Sequence, residues 1–396
     1  MIDLTADQRD VAASFVSYVF RDMAMLWATH GWDAANRRGR ERLQADLRDS
    51  NLGYRRSMVV GRQLFFLAHA FRVTRDAVFR DRAHDLYVDL EKHFWDIEHG
   101  GWFYSVADLS GPANTTKDLY AHAFVLFGLA HYVAIFRDKG AARRLRETNA
   151  LVSSRFALPK PWLAHSTTRA WDVLNRNLEQ NPHMHLLEAC LSAHRAMPDD
   201  ALLDGASRII GIFTERLLTP DGNKVLEHFD EEGRPSSENG DLIEPGHLYE
   251  WYWLLNEYAR IADRPEYARL ADPIMDWVEA RGRDARGGIY DLVDVRGRPV
   301  SERRRIWPVT EAIKAWVTRA RIRRDAASRA ALLTWIRFIM DRYFTGNGGW
   351  HEYLSPALQA DSDFMPASTP YHVAMAALEV EHLMGGPGAF GLGAER

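Results

Sequence analysis

His247 and Glu250 stand three residues apart in Glu244-Pro245-Gly246-His247-Leu248-Tyr249-Glu250-Trp251. On a helix that spacing puts both side chains on one face. Pro245 suits the first turn of such a helix, where its missing N–H costs nothing. An imidazole beside a carboxylate at a helix start can transfer protons. The plainer alternative is a capped core helix with a surface histidine and a dipole-stabilised glutamate. What favours chemistry is recurrence, because polar, ionisable residues return at the starts of other apolar segments. Asn181, His185 and Glu188 are spaced i, i+4, i+7, and Trp307 and Glu311 are spaced i, i+4, so each set shares a helix face. Lys117-Asp118-Leu119-Tyr120-Ala121-His122, Thr369-Pro370-Tyr371-His372 and the pair Arg55-Arg56 open three more segments.

Several chemistries can be weighed on these residues. His183 and His185 flank Met184, and i, i+2 positions point apart on a helix. No His-Glu-x-x-His motif and no phosphate-binding glycine loop occurs, so neither a metal nor a cofactor is expected. A glycoside hydrolase needs two opposed carboxylates, which Glu250, Glu311, Glu188 and Asp118 could supply. A non-catalytic carbohydrate-binding protein would use Trp307, Trp102, Tyr120 and Trp350 but not the two histidines.

These residues are carried by helices. Apolar periodicity predicts twelve, over about 5–29, 57–73, 76–96, 117–136, 140–156, 179–196, 199–217, 244–262, 266–281, 307–321, 328–343 and 367–384. Glycine-rich aromatic turns punctuate them: Gly100-Gly101-Trp102, Gly287-Gly288-Ile289, Gly348-Gly349-Trp350, and a looser copy at Asp221-Gly222. The helix-opening prolines Pro182, Pro245, Pro308 and Pro370 recur at steps of 63, 63 and 62 residues. Stepping back at the same interval reaches Leu119 and Arg56. Six helix pairs therefore fill the chain. Helix pairs stack as an open solenoid or close into an (α/α)6 toroid. An open array needs polar ends, and both ends here are as apolar as the middle. The expectation is one all-α domain over residues 1–396, an (α/α)6 barrel with short β-hairpins on one face. The richer second helices would form the inner ring, with six N-termini converging on one mouth suited to oxyanions.

Composition narrows the class further. The 396 residues are 46% hydrophobic, which supports a large core and excludes a disordered chain. A net charge of −4 argues against a nucleic-acid partner. The single cysteine, Cys190, precludes an internal disulfide and fits a reducing cytoplasm. The N-terminus shows no secretory signal, and no apolar run is read as a membrane span. A small sugar as partner, met by a monomer or homodimer, is what the resemblance of these motifs to a known family implies.

The motifs resemble the N-acylglucosamine 2-epimerase family over almost the whole chain. The pieces that carry the resemblance are Thr116-Lys117-Asp118-Leu119-Tyr120-Ala121-His122, Asn181-Pro182-His183-Met184-His185-Leu186-Leu187-Glu188, Pro245-Gly246-His247-Leu248-Tyr249-Glu250-Trp251, Trp307-Pro308-Val309-Thr310-Glu311 and Pro370-Tyr371-His372. The resemblance implies an (α/α)6 barrel and cofactor-independent proton transfer at C2 of a reducing sugar. It assigns His247 and His372 as the acid/base pair, Glu250 as the group orienting His247, and an arginine matched to Arg55, with Arg62 as the other choice. Tyr120, Asn181, His185, Trp307 and Glu311 would hold the sugar. The run Met365-Pro366-Ala367-Ser368-Thr369-Pro370 departs from the disaccharide epimerases and is similar to mannose-isomerase-type members. That leans the expectation towards a mannose–fructose type isomerase, with 2-epimerisation as the alternative outcome.

Overall fold

The computed structural model describes residues 4–107 and 111–390. Twelve helical segments alternate in two rings. They are α1 (Ala6–Ser17, prolonged by a π-helical stretch Tyr18–Met23 and by Ala24–Thr29), α2 (Ser57–Thr74), α3 (Ala77–Asp89), α4 (Leu119–Phe136), α5 (Lys139–Arg155), α6 (Gln180–Ala196), α7 (Asp200–Ile212), α8 (Pro245–Ile261), α9 (Ala271–Arg281), α10 (Ile306–Arg323), α11 (Ala326–Arg342) and α12 (Thr369–Leu383). The even-numbered helices form the inner ring and are buried nearly all round, as expected of helices packed on every side. The fold is an (α/α)6 barrel.

The two kinds of connection differ, and the difference places the site. Where α2, α4 and α10 end, Arg75, Arg137 and Arg324 adopt left-handed conformations at φ 61°, 57° and 54°. The next residues, Asp76, Asp138 and Asp325, cap the following outer helices through their side chains. Two residues thus reverse the chain at the bottom of the barrel. Most of the length lies in the opposite connections, from outer to inner helix, which gather around the inner N-termini.

Those long connections also close the ring. The strand before an inner helix pairs, antiparallel, with the connection of the next unit: Tyr54–Arg56 with Ser105–Ala107, Lys117–Asp118 with Ser166–Thr167, Leu242–Ile243 with Leu292–Asp294, and Arg304–Arg305 with Tyr353–Leu354. Glu179 and His228 make the same link as a single bridge. Finally Phe364–Pro366 pairs with Arg42–Gln44, joining the last unit to the first. An open solenoid could not make that last pairing.

Close packing of the inner ring depends on small residues. A Cβ on Gly61 would lie 2.4 Å from the Phe124 carbonyl oxygen, and one on Gly128 2.5 Å from that of Gly61. The backbones of α2 and α4 therefore meet directly there. The helix α4 is, by length and composition, apolar enough to cross a membrane. This corrects the reading that no run approached a span; here the helix is core, packed against α2 and α6.

Candidate active site

The inner N-termini surround a cavity of about 170 Å³, lined by Arg62, Tyr120, Asn181, His185, Glu244, His247, Arg305, Trp307, Ser368, Thr369 and His372. The Trp307 indole lies between two imidazoles, its centroid 5.1 Å from the ring of His247 and 5.4 Å from that of His372. Gly246 makes room for it, since a Cβ there would sit 2.3 Å from the indole. Each of these histidines is held through Nδ1 by a buried glutamate, which leaves Nε2 to the cavity.

His247 Nδ1 lies 2.9 Å from Glu227 Oε2. Glu227 also accepts the Gln180 amide at 2.9 Å and the Glu244 backbone N–H at 3.1 Å. Against burial, the His247 imidazole first, then these donors, favour its charged form and hold its carboxyl below the usual range. Burial alone would lower the His247 value, but Glu227, Glu244 and Glu250 outweigh it and push it up to about 10. This imidazole is charged at neutral pH.

His372 Nδ1 lies 2.8 Å from Glu311 Oε1. Behind it, Lys314 Nζ stands 2.5 Å from Glu311 Oε2 and 3.6 Å from Glu250 Oε1. Burial, reinforced by Arg62, His185, Lys314 and Arg305, drives the His372 value well below that of a free imidazole. Burial and the neighbouring Glu250 push Glu311 up, and Lys314 opposes them. His372 is neutral.

The remaining wall is polar and preset. The Arg62 guanidinium donates to the Tyr120 hydroxyl at 2.6 Å and to the Ser368 carbonyl at 3.3 Å. It also stacks 3.9 Å from the centroid of Phe124. Among the described residues, Asn181 Oδ1 is buried without a protein partner, although the residue lines the cavity. An orphaned acceptor of that kind is costly unless a ligand or water satisfies it. His185 is wedged against Tyr120 and Phe124, and burial pushes its value down to about 3.

The structure redistributes three expected roles. Arg55 is not at the cavity: its guanidinium pairs with buried Asp89 and borders a separate cleft with Arg38 and Arg40. It lies on the strand before α2 and turns outward, whereas Arg62, more than one turn into the helix, faces inward. Glu250 is not the hydrogen-bond partner of His247; it lies deeper, 3.8 Å from His185 Nδ1 and beside Lys314. Glu311 sits behind His372 rather than on the sugar-facing wall. Tyr120, Asn181, His185, Trp307, His247 and His372 do line the cavity.

Glu227, Glu244, Arg305 and Lys314 escaped the sequence reading. A signal for Glu227 existed. His122 Nε2 accepts the Trp102 N–H, and His183 Nε2 accepts the Leu163 N–H, each twenty residues upstream. Glu227 lies the same twenty residues before His247. His183 also reaches the Glu179 carbonyl through Nδ1, so both its nitrogens are occupied in structure.

Two sets of side chains bring possible metal-ligating atoms within 4.8 Å of one another: His185, Glu188 and Glu250, and Glu227, Glu244 and His247. In the first set the Lys314 ammonium already stands 3.6 Å from Glu250, and in the second His247 Nδ1 is already hydrogen-bonded to Glu227.

A sequence model of the family described as N-acylglucosamine 2-epimerase (GlcNAc 2-epimerase) matches residues 30–376. The chain belongs to that family. Among its relatives, the mannose-6-phosphate isomerase of Rhizobium meliloti (strain 1021) is 27% identical over 342 residues, covering 83% of this chain and 86% of that protein. The D-mannose isomerase of Thermobifida fusca is 29% identical over 285 residues, covering 66% and 68%. The solved cellobiose 2-epimerase of Bacillus thermoamylovorans B4167 superposes with a TM-score of 0.87 at 19% identity, over 94% of this chain and 100% of that one. This member of the N-acylglucosamine 2-epimerase family is a carbohydrate isomerase or epimerase, and the cavity at the inner N-termini is where its chemistry can be sought.

Proposed function

We propose that the protein interconverts a mannose-type aldose and its ketose through an enediolate, using His372 as base and His247 as acid. The observation that carries this reading is the placement of two imidazoles on either side of Trp307, each held through Nδ1 by a buried glutamate, with surroundings that push His247 up and His372 down. A neutral imidazole can take the C2 proton of the ring-opened sugar. A charged one can protonate the ring oxygen as the C1–O5 bond breaks, take back a proton from the C1 hydroxyl as the aldehyde forms, and, charged again, stabilise the negative oxygen of the enediolate. The Arg62 guanidinium and the converging helix N-termini add positive charge at the same place. His372 then returns its proton to C1, giving the ketose. Trp307 offers a flat face to the sugar, while Tyr120, Asn181 and His185 offer polar contacts.

A cavity of only about 170 Å³ is in keeping with a monosaccharide. The Ala367-Ser368-Thr369 run and the mannose-related names of two relatives lean the same way. We place the protein in a reducing compartment, as one catalytic barrel spanning the chain; the lone thiol of Cys190 is buried and its value pushed up to about 12.

One observation also favours a second reading. His247 already carries a proton and faces the site across Trp307 from His372, so it could return that proton to C2 from the opposite side. That is 2-epimerisation. The test is mannose incubated in heavy water with a chelator present, followed by NMR. Fructose carrying deuterium at C1 is expected. Glucose labelled at C2, with no ketose, would overturn the isomerase reading in favour of the epimerase.

A further inference from the structure

We propose that Glu244 is a third acid/base residue of this site, moving a proton between O1 and O2 of the enediol and so turning the shared intermediate towards the ketose. This rests on the isomerase/epimerase reading above.

Three features of Glu244 lead there. First, it is the carboxyl residue on the cavity wall, together with Arg62, Asn181, His247, Trp307 and His372. Second, its side chain makes no hydrogen bond or ion pair among the described residues. The backbone N–H donates to Glu227, but Glu244, the N-cap of α8, makes no side-chain capping bond. Third, a carboxylate oxygen of Glu244 lies within 4.8 Å of a ring nitrogen of His247 and an oxygen of Glu227.

The charged groups facing it come from every neighbouring element. His247 lies on its own helix and Glu227 on the connection after α7. Asp291 comes from the connection after α9, and Arg305 from the strand before α10. Burial, with Glu227 and Asp291, outweighs His247 and Arg305 and pushes the Glu244 carboxyl up to about 7. At neutral pH such a group both gives and accepts protons readily.

The chemistry needs such a group. When His372 takes the C2 proton, the C2–H electron pair becomes the C1=C2 bond and the C1=O π pair moves onto O1. O1 takes the proton of the Glu244 carboxylic acid, completing the enediol. The resulting carboxylate then accepts the O2 proton. The O2–H pair becomes the C2=O bond, and the C1=C2 pair takes the proton held by His372 to form the new C1–H bond. Glu244 ends protonated, as it began. During these steps His372 holds the C2 proton and His247 is already full, so neither can accept from O2. Epimerisation returns a proton to C2 and restores the aldehyde, so it needs no transfer between the oxygens.

The test compares wild type with Glu244→Gln and Glu244→Asp on mannose in heavy water, reading ketose formed against C2-deuterated aldose by NMR. In the Gln variant ketose formation should fall by about 10²-fold or more, the usual scale for losing a general acid/base. C2 exchange should fall less, so the ratio drops, and the Asp variant should recover part of it. In wild type the same ratio should change with pH around a midpoint near 7, a readout that needs no variant to fold. A ratio unaltered in the Gln variant, or flat with pH in wild type, overturns the role of Glu244 alone. A wild type that exchanges no C2 proton overturns the underlying reading, and this proposal with it.

Discussion

The surroundings of His247 and His372 begin alike and end opposite. Each imidazole presents Nδ1 to a buried glutamate, at 2.9 Å and 2.8 Å. One is charged and the other neutral. A carboxylate partner is therefore not what sets the charge. Glu227 is stabilised as an anion by neutral donors, Gln180 and a backbone N–H, so its whole charge acts on His247, with Glu244 adding to it. Burial and the neighbouring Glu250 push Glu311 towards its neutral form against Lys314, so it offers His372 little charge, while burial and the nearby Arg62, Lys314 and Arg305 disfavour a proton there. Whether the glutamate is itself neutralised decides the state of the imidazole.

The largest effect should come from the histidines, and it tests the division of labour. His372→Ala should lower C2 proton exchange by about 10²–10⁴-fold, because the neutral base is gone. His247→Ala should lower turnover while a larger share of C2 exchange survives, especially on a sugar analogue that is already open-chain. Equal loss of exchange in both variants on the open-chain analogue would break the comparison, showing that either imidazole can serve as base.

Much of this was legible in the sequence. The 63-residue step of the helix-opening prolines carries the barrel, because a helix pair that cannot bury its own apolar face must stack on copies of itself. Several residues of the first helical turns were legible for the same reason, since one face of each inner N-terminus meets the mouth; His122 and His183, on the other face, bond the backbone of the connections instead. Glu227 and Glu311 mark the limit. Both hold a histidine, but one lies on a hairpin and the other on a neighbouring helix, so their partners depend on how the units dock. Arg55 failed for a local reason. One strand residue more or less reverses the direction of a side chain, and spacing alone does not fix where strand ends and helix begins.

The next largest effect falls on the His372 side. Lys314 is fully buried beneath the cavity, facing Glu311 and Glu250, with its ammonium 4.0 Å from the Trp253 ring centroid. Lys314→Met would keep much of the volume and remove the cation. Two buried carboxyls would then face each other unpaired, a change that costs about 3–5 kcal/mol in comparable buried pairs. Denaturant melts should show that loss. The His372 value should rise, since one repelling charge has gone. Nitrogen NMR of His372 reads that directly, and an unmoved value would show that Lys314 is not what separates the two sides.

The smallest effect tests the His247 side and depends on pH. Glu227→Gln keeps an acceptor for Nδ1 but removes the charge, a loss of roughly 1.5–3 kcal/mol for a charged hydrogen bond. The His247 value should fall from about 10 towards the ordinary 6.5. The sign of the stability change follows from both partners. Because folding raises the His247 value, its contribution is fully present below about 6.5 and is lost as the pH rises through about 10. Because folding lowers the Glu227 value, its contribution is present above the ordinary 4.5 and is lost as the pH falls below it. The gap in stability between wild type and variant should therefore be widest between these limits, from about pH 4.5 to 6.5, and should shrink towards pH 10. Proton NMR of the His247 ring across that range checks the titration itself. If His247 still titrates near 10 in the variant, Glu244 and Glu250 hold the proton without Glu227, and the contrast with His372 arises from the cavity wall rather than from the paired glutamates.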